Sequence, residues 1–141
     1  MAKEQKAFEC IRLVERQNKP RTSGLTYARD LGMGMKSLEA VLESSAEYID
    51  ILKLASFVPR MQSKKLIMDK VELCRKHSVD VGLGGALLEI ALLQGPHVVK
   101  DFLKEVRDVG ITHLEVCRQS VIIPLSHLLD LIGIVKDMGI H

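Results

Sequence analysis

Four charged side chains, Asp30, Lys53, Glu89 and Glu115, stand in mostly apolar surroundings, each at or just beyond the end of an expected strand. If those strands are parallel, the four charges converge on one end of a sheet. Acids beside a lysine can bind a divalent cation, hold an anionic substrate, or move a proton at a shifted pKa. Each charge also has an ordinary explanation: Asp30 as a turn former, Lys53 as a rim residue with a buried stem, Glu89 as the solvated edge of its helix. Glu115 is the hardest to dismiss, because an acid inside a cleanly alternating strand is uncommon without a partner. Lys53 likewise needs a partner or a water-filled cavity, since burying an unpaired charge is costly. Just before Glu89, Gly84-Gly85 separates strand from helix, which allows a sharp turn and leaves room for a ligand to reach the backbone.

Weaker candidates surround these. His77, His97, His113, His127 and His141 lack ligand spacing, and only His113 shares an expected strand face with Glu115. Arg29, Arg60 and Arg118 are of a type that meets phosphate, although isolated arginines are usually surface residues. The run from Gly82 to Gly85 lacks the lysine and hydroxyl of a P-loop.

The elements that would position these residues follow a repeating rhythm. Strands are expected at 25–30, 48–54, 79–83 and 111–117, starting about one βαβ step apart. Helices are expected at 6–16, at 36–46 with Leu38, Val41 and Leu42 on one stripe, and around Leu66, Ile67, Val71 and Cys74. Residues 55–62 read as a loop. Further helices follow Gly85 and Pro96, and Ser126 is expected to cap a last one that buries Leu128, Leu129, Ile132 and Val135. In the fourth strand, Leu114 and Val116 should pack on helices while His113 and Glu115 face the mouth. The whole is a single domain over 1–141, with 1–17 as an amino-terminal helix. It is an α/β chain of parallel (β/α) units of TIM-barrel type, about half of a (β/α)8 barrel, which usually needs about 250 residues. A small open four-stranded parallel sheet has the same rhythm. Half a barrel would expose two sheet edges and an unfilled interior, so a homo-oligomer is expected.

Composition narrows the classes of function. The 141 residues are 47% hydrophobic and 4% aromatic, with a formal charge of +2, which gives no basic footprint for nucleic acid. The apolar stretch 121–135 is interrupted by Pro124, Ser126, His127 and Asp130, so no membrane span is expected. The charged start is unlike a signal peptide, which leaves the cytoplasm as the expected location. Cys10, Cys74 and Cys117 read as reduced, mostly buried small hydrophobes.

Read together, the residues resemble the phosphosulfolactate synthases. Asn18-Lys19-Pro20-Arg21 before Gly24-Leu25-Thr26, Asp30, Tyr48-Ile49-Asp50 leading to Lys53, Gly84-Gly85 with Leu87 and Glu89, then Glu115 and Ile123-Pro124 occur in that family's order and at similar spacing. The likeness covers nearly the whole chain and corresponds to the amino-terminal half of the family's barrel. It implies addition of sulfite to phosphoenolpyruvate on the route to coenzyme M, with magnesium as cofactor. It also implies that Lys53, Glu89 and Glu115 do the chemistry, with Glu115 as metal ligand and Asp30, Gly84 and Gly85 at the substrate. Plant heat-stress-associated proteins are similar too, which opens a non-catalytic, protein-interaction alternative. Two stretches depart from the family's pattern: Leu54-Ala55-Ser56-Phe57-Val58-Pro59 replaces a glycine-rich run after the lysine, and Cys117-Arg118-Gln119-Ser120 replaces Ser-Asp-Gly-Ser after the glutamate.

Overall fold

Short runs of apolar residues broken by single charges form the strands, and longer stretches with apolar residues three and four apart form the helices between them. In the computed structural model, which describes residues 6–141, β1 is Tyr27–Asp30, β2 Ile51–Leu54, β3 Asp80–Leu83 and β4 His113–Leu114. The helices are α1 Met35–Ser45, α2 Val58–Met61, α3 Lys64–Lys76, α4 Ala86–Gln94, α5 Pro96–Asp108 and α6 Leu125–Asp137. All pairings are parallel, and the spatial order β1-β2-β3-β4 is the chain order. Each crossover therefore steps one place in the same direction, as in a (β/α) barrel, instead of reversing as in a doubly wound sheet.

Alternation along the strands divides the sheet into two faces. Leu52, Leu54, Val81, Leu83 and Leu114 are buried against Leu38 and Leu42 of α1, Ile67 and Val71 of α3, Leu103 and Val106 of α5, and Leu131 of α6. The opposite face carries Tyr27, Ile51, Lys53, Gly82 and His113. It is concave: Tyr27 and His113 stand on β1 and β4, about 14 Å apart in a flat sheet, yet their ring centroids are 6.5 Å apart. The curl continues past β4, where Leu114 N donates to His141 O at 2.8 Å and His141 N to Thr112 O at 2.9 Å, the bonds of a further parallel strand. A parallel four-stranded sheet with alternating helices, built as a partial (β/α) barrel, is thus the observed architecture.

Several elements differ from the sequence expectation. Residues 6–17 form no helix; only a turn closes, with Ile11 N donating to Phe8 O at 2.9 Å. Phe8, Ile11 and Val14 are exposed, so the helical spacing of these residues meets no surface to bury it. Instead the segment is strapped across the amino ends of the strands. Arg16 donates to Gly24 O and Tyr48 O, Arg21 to Gln17 O and Glu47 O, and Lys19 to Ser78 O. The expected residues 1–5 of that helix lie outside the described residues.

The strands are shorter than expected. A 3₁₀ turn, Ala46–Tyr48, occupies the start of the second, closed by Ile49 N donating to Ala46 O at 3.2 Å. The loop after β2 contains α2, and proline near its first turn suits that position. Pro124, not Ser126, sits at the N-cap of α6, whose buried residues are Leu131 and Val135; Leu129 is 59% exposed. Cys10 is exposed, contrary to the expectation for a small hydrophobe, whereas Cys74 is buried and its thiol is pushed up to about 11 by burial.

Candidate functional site

Of the four charges expected to converge, Lys53 and Glu115 meet. Their side chains lie on the concave face, and Lys53 Nζ donates to Glu115 Oε1 at 2.6 Å. They come from β2 and from the residue after β4, so the contact spans β3. That strand contributes glycine at 82, which lets the side chains on either side approach each other. Ile51 Cγ2 and His113 Cβ lie 3.3 and 3.5 Å from where a Cβ of Gly82 would stand. The lysine is half-buried and the glutamate more open, at 24% and 41% side-chain exposure. The pair is therefore accessible to a small molecule and is not a sealed structural bridge.

Tyr27 and His113 flank the pair. Tyr27 has its phenol pKa raised by burial and by the Glu115 charge, partly opposed by Lys53. His113 is held below its ordinary value mainly by burial. The imidazole is thus neutral at pH 7, with Nδ1 2.9 Å from Thr112 Oγ1 and its ring 5.4 Å from that of His141. Nothing in the sequence singled out Tyr27 except its alternation, with Leu25, against Thr26 and Ala28 in the first expected strand.

Asp30 and Glu89 are turned elsewhere. Asp30, fully buried, faces the helix layer: Oδ1 accepts from the amides of Gly32 and Met33, each at 2.7 Å, and Oδ2 from Lys70 Nζ at 2.6 Å. Lys70 is itself fully buried and also donates to Gln62 Oε1 at 3.2 Å. Its place on the stripe Ile67-Lys70-Val71-Cys74 was the available signal that a buried acid must face it. Glu89, 1% exposed, accepts from Gln119 N at 2.5 Å, from Ser120 N at 3.0 Å and from Cys117 Sγ at 3.6 Å. Its carboxylate thereby fixes the loop that follows Glu115.

The glycine turn has a related role. A Cβ on Gly85 would stand 2.5 Å from both Glu115 O and Cys117 Sγ, and one on Gly84 would stand 2.9 Å from Ser56 N. The room at these glycines is filled by the two neighbouring strand-end loops, which brings Glu115 close to the start of α4. A groove of about 650 Å³ lies elsewhere, between the short helix after β2, α3, α4 and α5. Its walls are helix side chains such as Ile90, Val98 and Phe102, and it contains none of the charges on the concave face.

Against known families, residues 14–141 match the one described as (2R)-phospho-3-sulfolactate synthase (ComA). The chain belongs to the phosphosulfolactate synthase family. It is 32% identical over 124 residues to the phosphosulfolactate synthase of Methanothermobacter thermautotrophicus, a match that covers 88% of this chain and 47% of that protein. The phosphosulfolactate synthase of Methanocaldococcus jannaschii is 28% identical over 116 residues, 82% of this chain and 45% of its own length. Protein HEAT-STRESS-ASSOCIATED 32 of Arabidopsis thaliana is 27% identical over 130 residues, 90% of this chain and 45% of its own length. The chain spans about half the length of the curated relatives it matches.

Two strand-end loops border the Lys53–Glu115 pair. After Lys53, Ser56 adopts a positive φ of 43° and its amide comes against Gly84, while Phe57 and Met61 are exposed. After Glu115, the loop pinned by Glu89 carries Arg118, whose guanidinium lies 3.5 Å from Ile123 O.

Magnesium favours six oxygen ligands, commonly one or two carboxylates with waters and substrate phosphate. Among the described residues no group of three histidines, cysteines or acids is placed to hold a metal. Glu115 has one oxygen engaged by Lys53, and the Glu89 and Asp30 carboxylates are taken by backbone amides and by Lys70. Of the three carboxylates, Glu115 is the one with an oxygen left open, and it is the residue that would reach a magnesium ion held otherwise by water and substrate phosphate.

Proposed function

We propose that this chain contributes to carbon–sulfur bond formation, the addition of sulfite to phosphoenolpyruvate in coenzyme M biosynthesis, a lyase-type reaction, through Lys53 and Glu115. The observation that carries this reading is the 2.6 Å contact between Lys53 Nζ and Glu115 Oε1 on the open concave face of a chain from this family. The sulfur lone pair of sulfite forms the new bond at the methylene carbon. The π pair of the double bond then moves to the phosphate-bearing carbon and onto its carboxylate. An ammonium aimed at that carboxylate stabilises the charge as it develops, which is the role assigned to Lys53. Glu115 holds the ammonium in place, and the pair supplies the proton that the phosphate-bearing carbon takes up. The phosphate ester stays intact, so atoms and charge balance without a redox partner. Purified protein, with magnesium supplied, is expected to consume phosphoenolpyruvate only when sulfite is present, and Glu115→Gln or Lys53→Ala to abolish consumption. Absence of consumption by wild type at high protein concentration would overturn the enzymatic reading for this chain.

A second reading, binding of another protein without turnover, is favoured by the exposed apolar residues of the loop after Lys53: Phe57 is 46% and Met61 84% exposed. The similarity to the plant heat-stress-associated protein points the same way. A stable stoichiometric protein partner, together with no phosphoenolpyruvate consumption, would support it over the first.

A further inference from the structure

Arg29 stands beside Lys53. The two are parallel ladder partners on β1 and β2, so their side chains leave the same face of the sheet about 4.8 Å apart at the backbone. That face is the concave one, since the neighbouring positions Ala28 and Asp30 turn to the helix layer, where Ala28 packs on the core and Asp30 meets Lys70. Lys53 is matched by Glu115 and Lys70 by Asp30, but Arg29 is exposed and has no ion-pair or hydrogen-bond partner among the described residues. Arg29 and Lys53 thus stand as two cations side by side at one level of the face, with Glu115 against Lys53 and with Asp80 two residues earlier on β3, where its charge acts on Tyr27 and His113. A guanidinium presents a planar fork that matches an oxyanion in two parallel hydrogen bonds, which an ammonium does not offer.

We propose that Arg29 is an oxyanion-binding residue, forming with Lys53 a two-cation clamp for a small substrate that bears two anionic groups on one carbon. Phosphoenolpyruvate has that pattern, a carboxylate and a phosphoryl oxygen on the same carbon, so the assignment deepens the reading of the site given above. Lys53 faces the group on which charge develops, and Arg29 takes the other oxyanion, a contribution to binding more than to the chemical step.

Isothermal titration of phosphoenolpyruvate, inorganic phosphate, pyruvate and sulfite into wild type, Arg29→Ala and Arg29→Lys separates the possibilities. Arg29→Ala is expected to weaken phosphoenolpyruvate about tenfold or more, the order of one charge-assisted forked contact. The lysine variant should fall between. Phosphate weakened in parallel with pyruvate unchanged assigns the phosphoryl group to Arg29, and the reverse assigns the carboxylate. Because the side chain is exposed and unpartnered, the thermal midpoint of Arg29→Ala should equal that of wild type. If wild type binds phosphate or sulfite and Arg29→Ala binds them less well, but neither binds phosphoenolpyruvate, the Arg29 site stands and the synthase reading falls. Equal affinities in wild type and Arg29→Ala, or no binding of any of the four anions by wild type, would overturn the Arg29 assignment.

Discussion

Asp50 shows how single residues set the conditions under which this fold persists. It lies at the amino ends of the strands, where Arg21 Nη1 donates to Oδ1 at 2.7 Å and the Thr26 amide to Oδ2 at 2.8 Å, with Arg16 Nη2 3.5 Å from the same oxygen. Burial pushes this carboxyl up, but the Thr26 amide and the Arg21 guanidinium outweigh it and hold the group below its ordinary value. A depressed folded pKa contributes stability that is present above the unfolded value, about 4, and lost as pH falls through the folded one. Wild type should therefore lose stability on acidification below about pH 4. Asp50→Asn should be less stable at neutral pH and lose less on acidification. Urea midpoints measured across that range check this, and acid limbs of equal steepness in the two proteins would contradict it.

At the scale of elements, the loop after β4 is held mainly from α4. Glu89 has two backbone amides on its carboxylate, and Gly85 lets Glu115 O and Cys117 Sγ come closer than any side chain would permit. Glu89→Ala should leave the sheet intact while the amides of Gln119 and Ser120 exchange with solvent much faster, read by hydrogen exchange. Unchanged protection at those two amides would show that something else holds the loop. This arrangement also marks what the sequence made legible. The β/α rhythm and the face-sharing of His113 and Glu115 followed from alternation, because one buried side forces a period of two. That Lys53 needs a partner or a water-filled cavity followed from the cost of an unpaired charge at a strand end, but which of the three acids it meets did not. The orientations of Asp30 and Glu89 did not follow, because a residue at a strand end or in the first turn of a helix can turn to either side of the sheet. Which side it takes depends on partners distant in sequence, Lys70 in one case and the amides of 119 and 120 in the other. The segment 6–17 has helical spacing without a helix, because periodicity reports a helix only where a surface receives its apolar face.

For the molecule as a whole, β1 is an edge whose outer side pairs with no strand among the described residues. Leu13, Val14 and Ile122 are 84, 93 and 98% exposed. Open edges and exposed apolar side chains favour association. We therefore expect this chain to self-associate, with a mass by light scattering above that of one chain and rising with concentration; a monodisperse monomer at all concentrations would count against it. No described helix is long and apolar enough to cross a membrane. The central claim is that the concave face, through Lys53 and Glu115, supports addition of sulfite to phosphoenolpyruvate. Carbon NMR of phosphoenolpyruvate labelled at the methylene carbon tests it most directly, with sulfite, magnesium and stoichiometric protein. The account predicts that the vinyl signal is replaced by that of a sulfonate-bearing saturated carbon, and that Glu115→Gln leaves the vinyl signal in place. A vinyl signal that persists with wild type, or that disappears equally with Glu115→Gln, would contradict it.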